Sequence, residues 1–356
     1  MLILAIDTSC DETSASVVNN DCILSNVISS QVDLHKKWGG VVPDIARRAH
    51  RENIDSVVNE ALMRARVSLE QIDYFAATFG PGLAIALRVG LDKGKGLAKK
   101  YNKPFIPVNH MEGHLLSSFA KNSRGKSPGG VSGPTKNDFP AIGMLISGGH
   151  TQMVYVKNFG DYELLGETLD DAAGEAFDKV AKMLDLGYPG GPIVSEFAKK
   201  GMAGRFDLPI PMEKSGNLNF SYSGLKTACL YKLKSITAES PNMPKTDWVY
   251  DFCADFVNSV IKSIVIKLEK AVDEYNAKSV LLGGGVISNV ELRRKIRSAM
   301  KKKDVIVFQP YHKRLFTDNA GMIGIAGYYM VKRNDKSIVT GNDIDGVDLD
   351  PVAQIG

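Results

Sequence analysis

His110 and His114 stand four residues apart in His110-Met111-Glu112-Gly113-His114. Residues at that separation share one helical face, so two imidazoles can reach a single metal ion. The chain has six histidines in 356 residues, which makes a chance pair uncommon. Two polar side chains at a helix end are the plainer alternative. A metalloprotease would carry a glutamate directly after the first histidine. Here Glu112 is two residues on, about 200° around the helix, and points away from the ion. The peptidase reading therefore loses its base. Two histidines need an oxygen partner. Asp318, in FTDNAG (316–321), sits at a predicted helix start, where aspartate is also a common cap. Spacing alone leaves its role open.

Three glycine stretches could approach a phosphate. Ser147-Gly148-Gly149-His150-Thr151 joins two predicted strands and offers backbone amides and hydroxyls, or is an ordinary hairpin turn. Gly283-Gly284-Gly285-Val286-Ile287-Ser288-Asn289 runs from a buried strand into a helix, a context that suits close backbone approach to a nucleotide. Tyr188-Pro189-Gly190-Gly191-Pro192 reads as a third turn. Asp170 and Asp171 lead into a helix in which Asp178 could accept ribose hydroxyls or face solvent. Asp7, Asp11 and Glu12 crowd one loop, as acids for phosphate–metal chemistry or as a solvated cluster. Lys36, Lys37, Arg47, Arg48, Arg293, Arg294, Lys295 and Lys301 to Lys303 are candidate phosphate contacts, with solvated helix faces as the alternative.

These residues need a scaffold that brings distant segments together. The first half reads β-β-β-α-β-α-β-α: strands over 2–9, 14–19 and 23–31, a helix over 43–66, a strand over 74–80, a helix over 83–100 and a strand over 105–108. Asn109 can cap the helix that begins at His110. Residues 121–138 are mostly Lys, Ser, Gly, Pro and Asn with few apolar positions, the composition of a flexible linker. The strand–turn–strand grammar then restarts at Ala141 and ends in helices over 289–302 and 319–332. The expected fold is α/β, with two duplicated lobes and a ligand cleft between them. Lobe one covers 1–120, joined by the helix at 319–332. Lobe two, the nucleotide-binding one, covers 139–318. An acidic tail, 333–356, is expected to be disordered or loosely docked.

Bulk properties narrow the class. Apolar residues make up 44% and charged residues 24%. Both fractions are ordinary for a globular chain of two domains. No apolar run reaches the roughly 18 residues of a membrane span. The first residues lack a basic n-region, and Asp7 arrives too early for a signal peptide. Cys10, Cys22, Cys229 and Cys253 form no CxxC pair and suggest a reduced, cytoplasmic setting. The net charge is +4, while the tail holds two basic and five acidic residues, leaving +7 elsewhere. Such mild basicity permits a nucleic-acid partner without demanding one.

Ten ordered stretches resemble the TsaD family, the tRNA N6-adenosine threonylcarbamoyltransferases once labelled glycoproteases. They are AIDTSCDETS (5–14), GGVVPDIARRAH (39–50), GPGL (80–83), NHMEGH (109–114), SGGHTQ (147–152), DDAAGEAFDKVAK (170–182), YPGGP (188–192), FSYSGLKTA (220–228), GGGVISN (283–289) and FTDNAGMIG (316–324). The resemblance implies the actin- and sugar-kinase-like ATPase fold, with two ribonuclease-H-like lobes. It implies transfer of a threonylcarbamoyl group from threonylcarbamoyl-AMP to the adenosine beside the anticodon, position 37, in tRNAs reading codons that start with A. It assigns one divalent metal, iron first and zinc second, to His110, His114 and Asp318. Leu145, Ile146, Ser147, Gly148, Gly149, Asp178, Gly191 and Asn289 would hold the adenylate, and Asp11 and Glu12 would lie near the reacting group. His150 in SGGHTQ resembles the bacterial branch, so a TsaB-like paralogue and a TsaE-like ATPase are the implied partners. The 121–138 insert and the tail depart from the family pattern. A small-molecule kinase of the same fold would lack the histidine pair and transfer phosphoryl groups to sugars. A non-catalytic scaffold paralogue would also lack the pair, which this chain keeps.

Overall fold

The N-terminal run LILAID is apolar at nearly every position, so it suits a strand covered on both faces. It forms β1 (Leu2–Asp7), the centre of the first sheet. Tight turns return the chain through β2 (Glu12–Asn19) and β3 (Cys22–Ser30), both antiparallel to their predecessors. After α1 (Val32–His35) and α2 (Pro43–Ala65), β4 (Tyr74–Gly80) pairs parallel with β1. After α3 (Ala84–Lys100), β5 (Phe105–Asn109) pairs parallel with β4 and leads into α4 (His110–Leu116). A short β6 (Lys121–Asn122) closes the edge, giving the order β5-β4-β1-β2-β3-β6. The computed structural model describes residues 1–126, 134–239 and 244–355. Part of the expected linker, 127–133, lies outside them; its ends form β6 and a 3-10 turn at Lys136–Asp138.

The second sheet repeats the plan. A meander of β7 (Ala141–Ile146), β8 (Thr151–Asn158) and β9 (Asp161–Glu167) is followed by α5 (Ala173–Met183), α6 (Gly190–Ala198), α7 (Ser223–Glu239) and α8 (Val249–Glu274). Then come β10 (Ser279–Gly283), α9 (Val290–Lys301), β11 (Ile306–Phe308) and α10 (Ala320–Lys332). The order β11-β10-β7-β8-β9 matches β5-β4-β1-β2-β3 of the first sheet, which adds β6 at its edge, with β10 and β11 parallel to β7. No helix among the described residues is long and apolar enough to cross a membrane.

Two helices join the sheets. Met111, Leu115 and Leu116 of α4 and Met322, Ile323 and Ala326 of α10 share one core with Ile3 and Ala5 of β1 and with Ala141, Leu145 and Leu281 of the second sheet. The histidine pair thus rides on a helix held in the common core of both halves.

Two expectations are corrected. Tyr188–Pro192 is not simply a turn, because it opens α6, with Pro189 as N-cap and Pro192 in the first helical turn. Proline is tolerated there since those amides have no helical acceptor. The tail is not loose either. Val339 exchanges backbone hydrogen bonds with Phe105 (2.9 and 3.0 Å), and Ile344 and Ile355 are buried. Its acidity is matched by the basic face of α3: Asp345 pairs with Lys99, and Asp348 with Arg88 at 2.7 Å. The Gln354 carbonyl accepts from Asn109 Nδ2 at 3.0 Å, so the tail reaches the residue that caps α4.

Candidate active site around a histidine–carboxylate centre

Asn109 ends β5 and caps α4, its Oδ1 accepting from the amides of Met111 (2.9 Å) and Glu112 (3.2 Å). That cap fixes where the helix begins and so which way His110 and His114 face. Asp318 approaches from the segment before α10, and the cap of that helix is Asn319, which accepts from Met322 N. Asp318 is therefore free of capping duty. Its Oδ1 lies 3.4 Å from His110 Nε2 and 3.2 Å from His114 Nε2. The donor atoms of the three residues all fall within 4.8 Å of one another. Two imidazole nitrogens and a carboxylate oxygen converging so closely fit a divalent first-row ion and leave coordination positions open.

The surroundings suit that reading. His114 is wholly buried and His110 nearly so. Burial disfavours the imidazolium of His110, but Asp318 and Asp7 outweigh it and lift its pKa to about 10. Burial, with the neighbouring His110, pushes His114 down. Burial works against the Asp318 carboxylate, yet the two histidines hold its pKa below the ordinary range. In the metal-free protein His110 thus carries a proton at neutral pH that an ion must displace. Metal affinity is expected to rise about tenfold per pH unit across the neutral range, because protons and metal compete for one nitrogen. Calorimetry near neutral pH in buffers of different ionisation enthalpy should show about one proton released per ion. Binding without proton release would contradict the assignment.

Glu112 takes no part in the triad. It accepts from Arg333 Nη1 at 2.5 Å and from the Tyr162 hydroxyl at 2.9 Å, on the far side of α4. β10 presses on the opposite end: a Cβ at Gly283 would collide with the His114 carbonyl oxygen, a backbone atom that cannot swing away. Gly283→Ala is therefore expected to shift α4, cost about 1–3 kcal/mol and weaken metal binding. Unfolding and metal titrations read both effects, and unchanged metal affinity would show that α4 tolerates the push.

The glycine loops reach the same region. Ser147 N bonds to His150 O at 2.8 Å, and Ser147 Oγ accepts from His150 N, so 147–150 is a tight hairpin turn. Gly148 and Gly149 at its tip are exposed, and a Cβ on either would meet nothing within 4 Å. The side chains of Leu145 and Ile146 are fully buried, so only their backbone could meet a ligand. Gly191 stands at the start of α6, also facing open space. Asp178 accepts from Gly190 N at 2.7 Å, and burial raises its pKa. Asn289 caps α9 through Leu292 N (3.0 Å) and donates to Ser195 Oγ (2.9 Å). Asp170 does not start α5; it accepts from the Tyr222 and Ser223 amides and so anchors the start of α7.

Asp11 ends the β1–β2 turn and Glu12 opens β2. Burial, Asp11, Asp318 and Asp7, in that order, push the Glu12 carboxyl well above the ordinary range, which ties this turn electrostatically to the centre.

A TsaD family profile, described as tRNA N6-adenosine threonylcarbamoyltransferase, matches residues 22–325. The chain belongs to the TsaD family. Among its relatives, the tRNA N6-adenosine threonylcarbamoyltransferase of Thermosipho africanus is 43% identical over 337 residues, covering 95% of this chain and 96% of that protein. The proteins of the same name from Clostridioides difficile (44% identical, 92% of this chain, 93% of that protein) and Staphylococcus epidermidis (41%, 97% of each) are comparably close. Among solved structures, T. kodakarensis HypF matches with a TM-score of 0.61 at 14% identity, over 93% of this chain and 48% of that one. Component A of Acidaminococcus fermentans (R)-2-hydroxyglutaryl-CoA dehydratase matches with 0.51 at 15% identity, over 93% and 99%. At such identities the likeness shows the fold alone, the actin- and sugar-kinase-like ATPase fold that the TsaD resemblance implied.

Two further residues border the triad: Asp7, which the sequence groups with the acids for phosphate–metal chemistry, and His150. Asp7, wholly buried, accepts from Thr78 Oγ1 at 2.8 Å and stands 3.7 Å from His110 Nδ1. At that separation the contact is electrostatic, and it favours the charged His110 imidazolium. Its signal is an acid closing an apolar strand. His150 is kept neutral by burial and by His110 and His114, its pKa lowered to about 4. Among the basic clusters, Arg47, Arg48, Arg294 and Lys303 pair with acids, and Arg293 lies over the Phe316 ring. Lys36 and Lys37 make no ion pair among the described residues, and Lys37 lies over the exposed Trp38 ring.

Proposed function

We propose that this chain transfers the threonylcarbamoyl group of threonylcarbamoyl-AMP to N6 of the adenosine at position 37, beside the anticodon, in tRNAs that read codons starting with A. The observation that carries this reading is the convergence of His110, His114 and Asp318, whose charges reach His150 of the 147–150 glycine turn, in a chain whose relatives bear that enzyme's name.

The amine lone pair attacks the carbamoyl carbon, the bond from that carbon to the phosphate oxygen breaks, and AMP departs with the electron pair. Exposed amides at Gly148 and Gly149 and the α6 start at Gly191 can stabilise charge developing on the phosphate. Leu145, Ile146 and Ser147 supply the backbone leading to that turn. Asp178 and Asn289 shape the nucleotide side by holding the starts of α6 and α9. N6 must lose a proton. Glu12 is partly exposed, and its pKa is raised. A carboxyl so shifted holds a proton well once it has accepted one, so we assign Glu12 the proton and give Asp11 an orienting role. A divalent ion on His110, His114 and Asp318, Fe2+ in preference to Zn2+, would supply Lewis acidity towards acyl or phosphate oxygens.

The tRNA backbone would meet the unpaired Lys36 and Lys37. The bacterial relatives and His150 favour a TsaB-like paralogue and a TsaE-like ATPase as partners, in the cytoplasm. Incubating the chain with threonylcarbamoyl-AMP and unmodified tRNA, with and without those partners, should yield the threonylcarbamoylated nucleoside by mass spectrometry. Phosphoryl transfer from ATP to a sugar, with no modified nucleoside in any mixture, would contradict the proposal.

A further inference from the structure

The junction of the β1–β2 turn with β2, which carries Asp11 and Glu12, has a brace outside the histidine–carboxylate centre. His50, on α2, is wholly buried. Its Nε2 lies 3.0 Å from the Cys10 carbonyl oxygen, and its Nδ1 lies 2.8 Å from Thr13 Oγ1 and 3.2 Å from Gln31 Nε2. A carbonyl can only accept, so Nε2 carries the proton and Nδ1 accepts from the other two. The same logic continues outward. Gln31 Oε1 accepts from His35 Nε2 at 3.2 Å, and His35 Nδ1 accepts from the Val42 amide at 3.3 Å. The Gln31 backbone N–H also donates to the Asp11 carbonyl oxygen at 2.9 Å. Every donor meets an acceptor with both imidazoles neutral and one orientation of the Gln31 amide. Burial keeps His50 in that state by lowering its pKa.

We infer that His50, seated by Gln31 and His35, is a positioning residue that clamps residues 10–13, where the turn enters β2, and so sets where the Asp11 and Glu12 carboxylates stand. His50 grips Cys10 and Thr13, the residues on either side of the two acids, from a rigid 23-residue helix. The two nitrogens of His50 take opposite hydrogen-bonding roles, and each of them reaches residues 10–13, with Nδ1 also accepting from Gln31. The role in transfer rests on the function proposed above; the clamp itself does not.

Amide hydrogen exchange on the full chain tests the clamp, and steady-state transfer tests its consequence. In His50→Ala, exchange across residues 8–14 should accelerate about tenfold or more, with 110–116 unchanged. The transfer kcat should fall about 10- to 100-fold, because small displacements of reacting groups are costly, with KM held within about twofold. His50→Gln keeps an N–H that can reach the Cys10 carbonyl and should recover most of kcat. Thr13→Val, nearly isosteric, should fold normally and loosen the same turn to a smaller degree. Unchanged exchange at 8–14 in both His50→Ala and Thr13→Val would overturn the clamp. A kcat within about threefold of wild type in a loosened His50→Ala would overturn its role in transfer. If wild type transfers nothing, the functional reading fails, and exchange alone still decides the clamp.

Discussion

His110→Ala is expected to lower threonylcarbamoyl transfer by about a thousandfold or more. The triad donors lie within 4.8 Å of one another, and His110 supplies one of only two nitrogens among them. Removing it leaves two donors, too few to hold an ion against water. Lewis-acid assistance is worth several kcal/mol, and a factor of ten in rate corresponds to about 1.4 kcal/mol. Metal content should fall from about one ion per chain towards none. His110 is also the counter-charge of Asp318 and Asp7 in the metal-free protein. The substitution therefore leaves buried carboxylates unbalanced. His110→Gln, which keeps volume and polarity, separates lost folding from lost chemistry. Both variants are compared at equal folded fraction by circular dichroism. Full activity in either variant after metal stripping would remove the metal from the mechanism.

The second large effect lies behind the metal helix. Glu112 is nearly buried, and Arg333 closes on it while also pairing with Asp335 at 2.6 Å. Tyr162, on β9 of the second sheet, donates to the same carboxylate. Glu112 therefore ties α4 to the other half and to the segment after α10. Arg333→Met keeps the aliphatic stem but strands the carboxylate. Breaking a fully buried pair costs about 3–5 kcal/mol. The guanidinium is 21% exposed and Tyr162 retains one bond, so about 2–3 kcal/mol is expected here. Pairing it with Glu112→Gln should recover part of that loss, since no buried charge then lacks a partner. Urea unfolding of the two single variants and the double variant measures the coupling. An additive cycle would show that the contact carries no stability.

The helix at His110 was legible because its signals are local: a capping asparagine, two histidines at helical spacing and a preceding apolar strand. The repeated strand–turn–strand grammar was legible for the same reason, and the two sheets share one strand order. What spacing could not show was the partner of the pair. Asp318 is 204 residues from His114, and no local pattern separates a ligand from a cap. The family resemblance supplied that residue, and the structure shows that Asn319 does the capping. The Tyr188–Pro192 stretch misled because glycine and proline signal turns. The same residues nonetheless open α6 on the Asp178 carboxylate. The tail misled because an acidic, glycine-containing segment looks loose in isolation. Its order comes from Phe105, Lys99 and Arg88, which are remote in sequence. The Gln31–His35–His50 chain was invisible for a similar reason, since hydrogen-bond roles appear only once α2 lies on β2 and β3.

The triad built on α4 is where fold and proposed chemistry meet, and one single-turnover experiment tests both. Metal-loaded protein in excess, threonylcarbamoyl-AMP and unmodified tRNA are mixed, and AMP and modified nucleoside are quantified together over time. The expected result is AMP and the N6-modified adenosine rising in about a 1:1 ratio with wild type, and neither above background with His110→Ala at the same folded fraction. AMP release without nucleoside modification, or equal modification by both proteins, would contradict transfer at this centre.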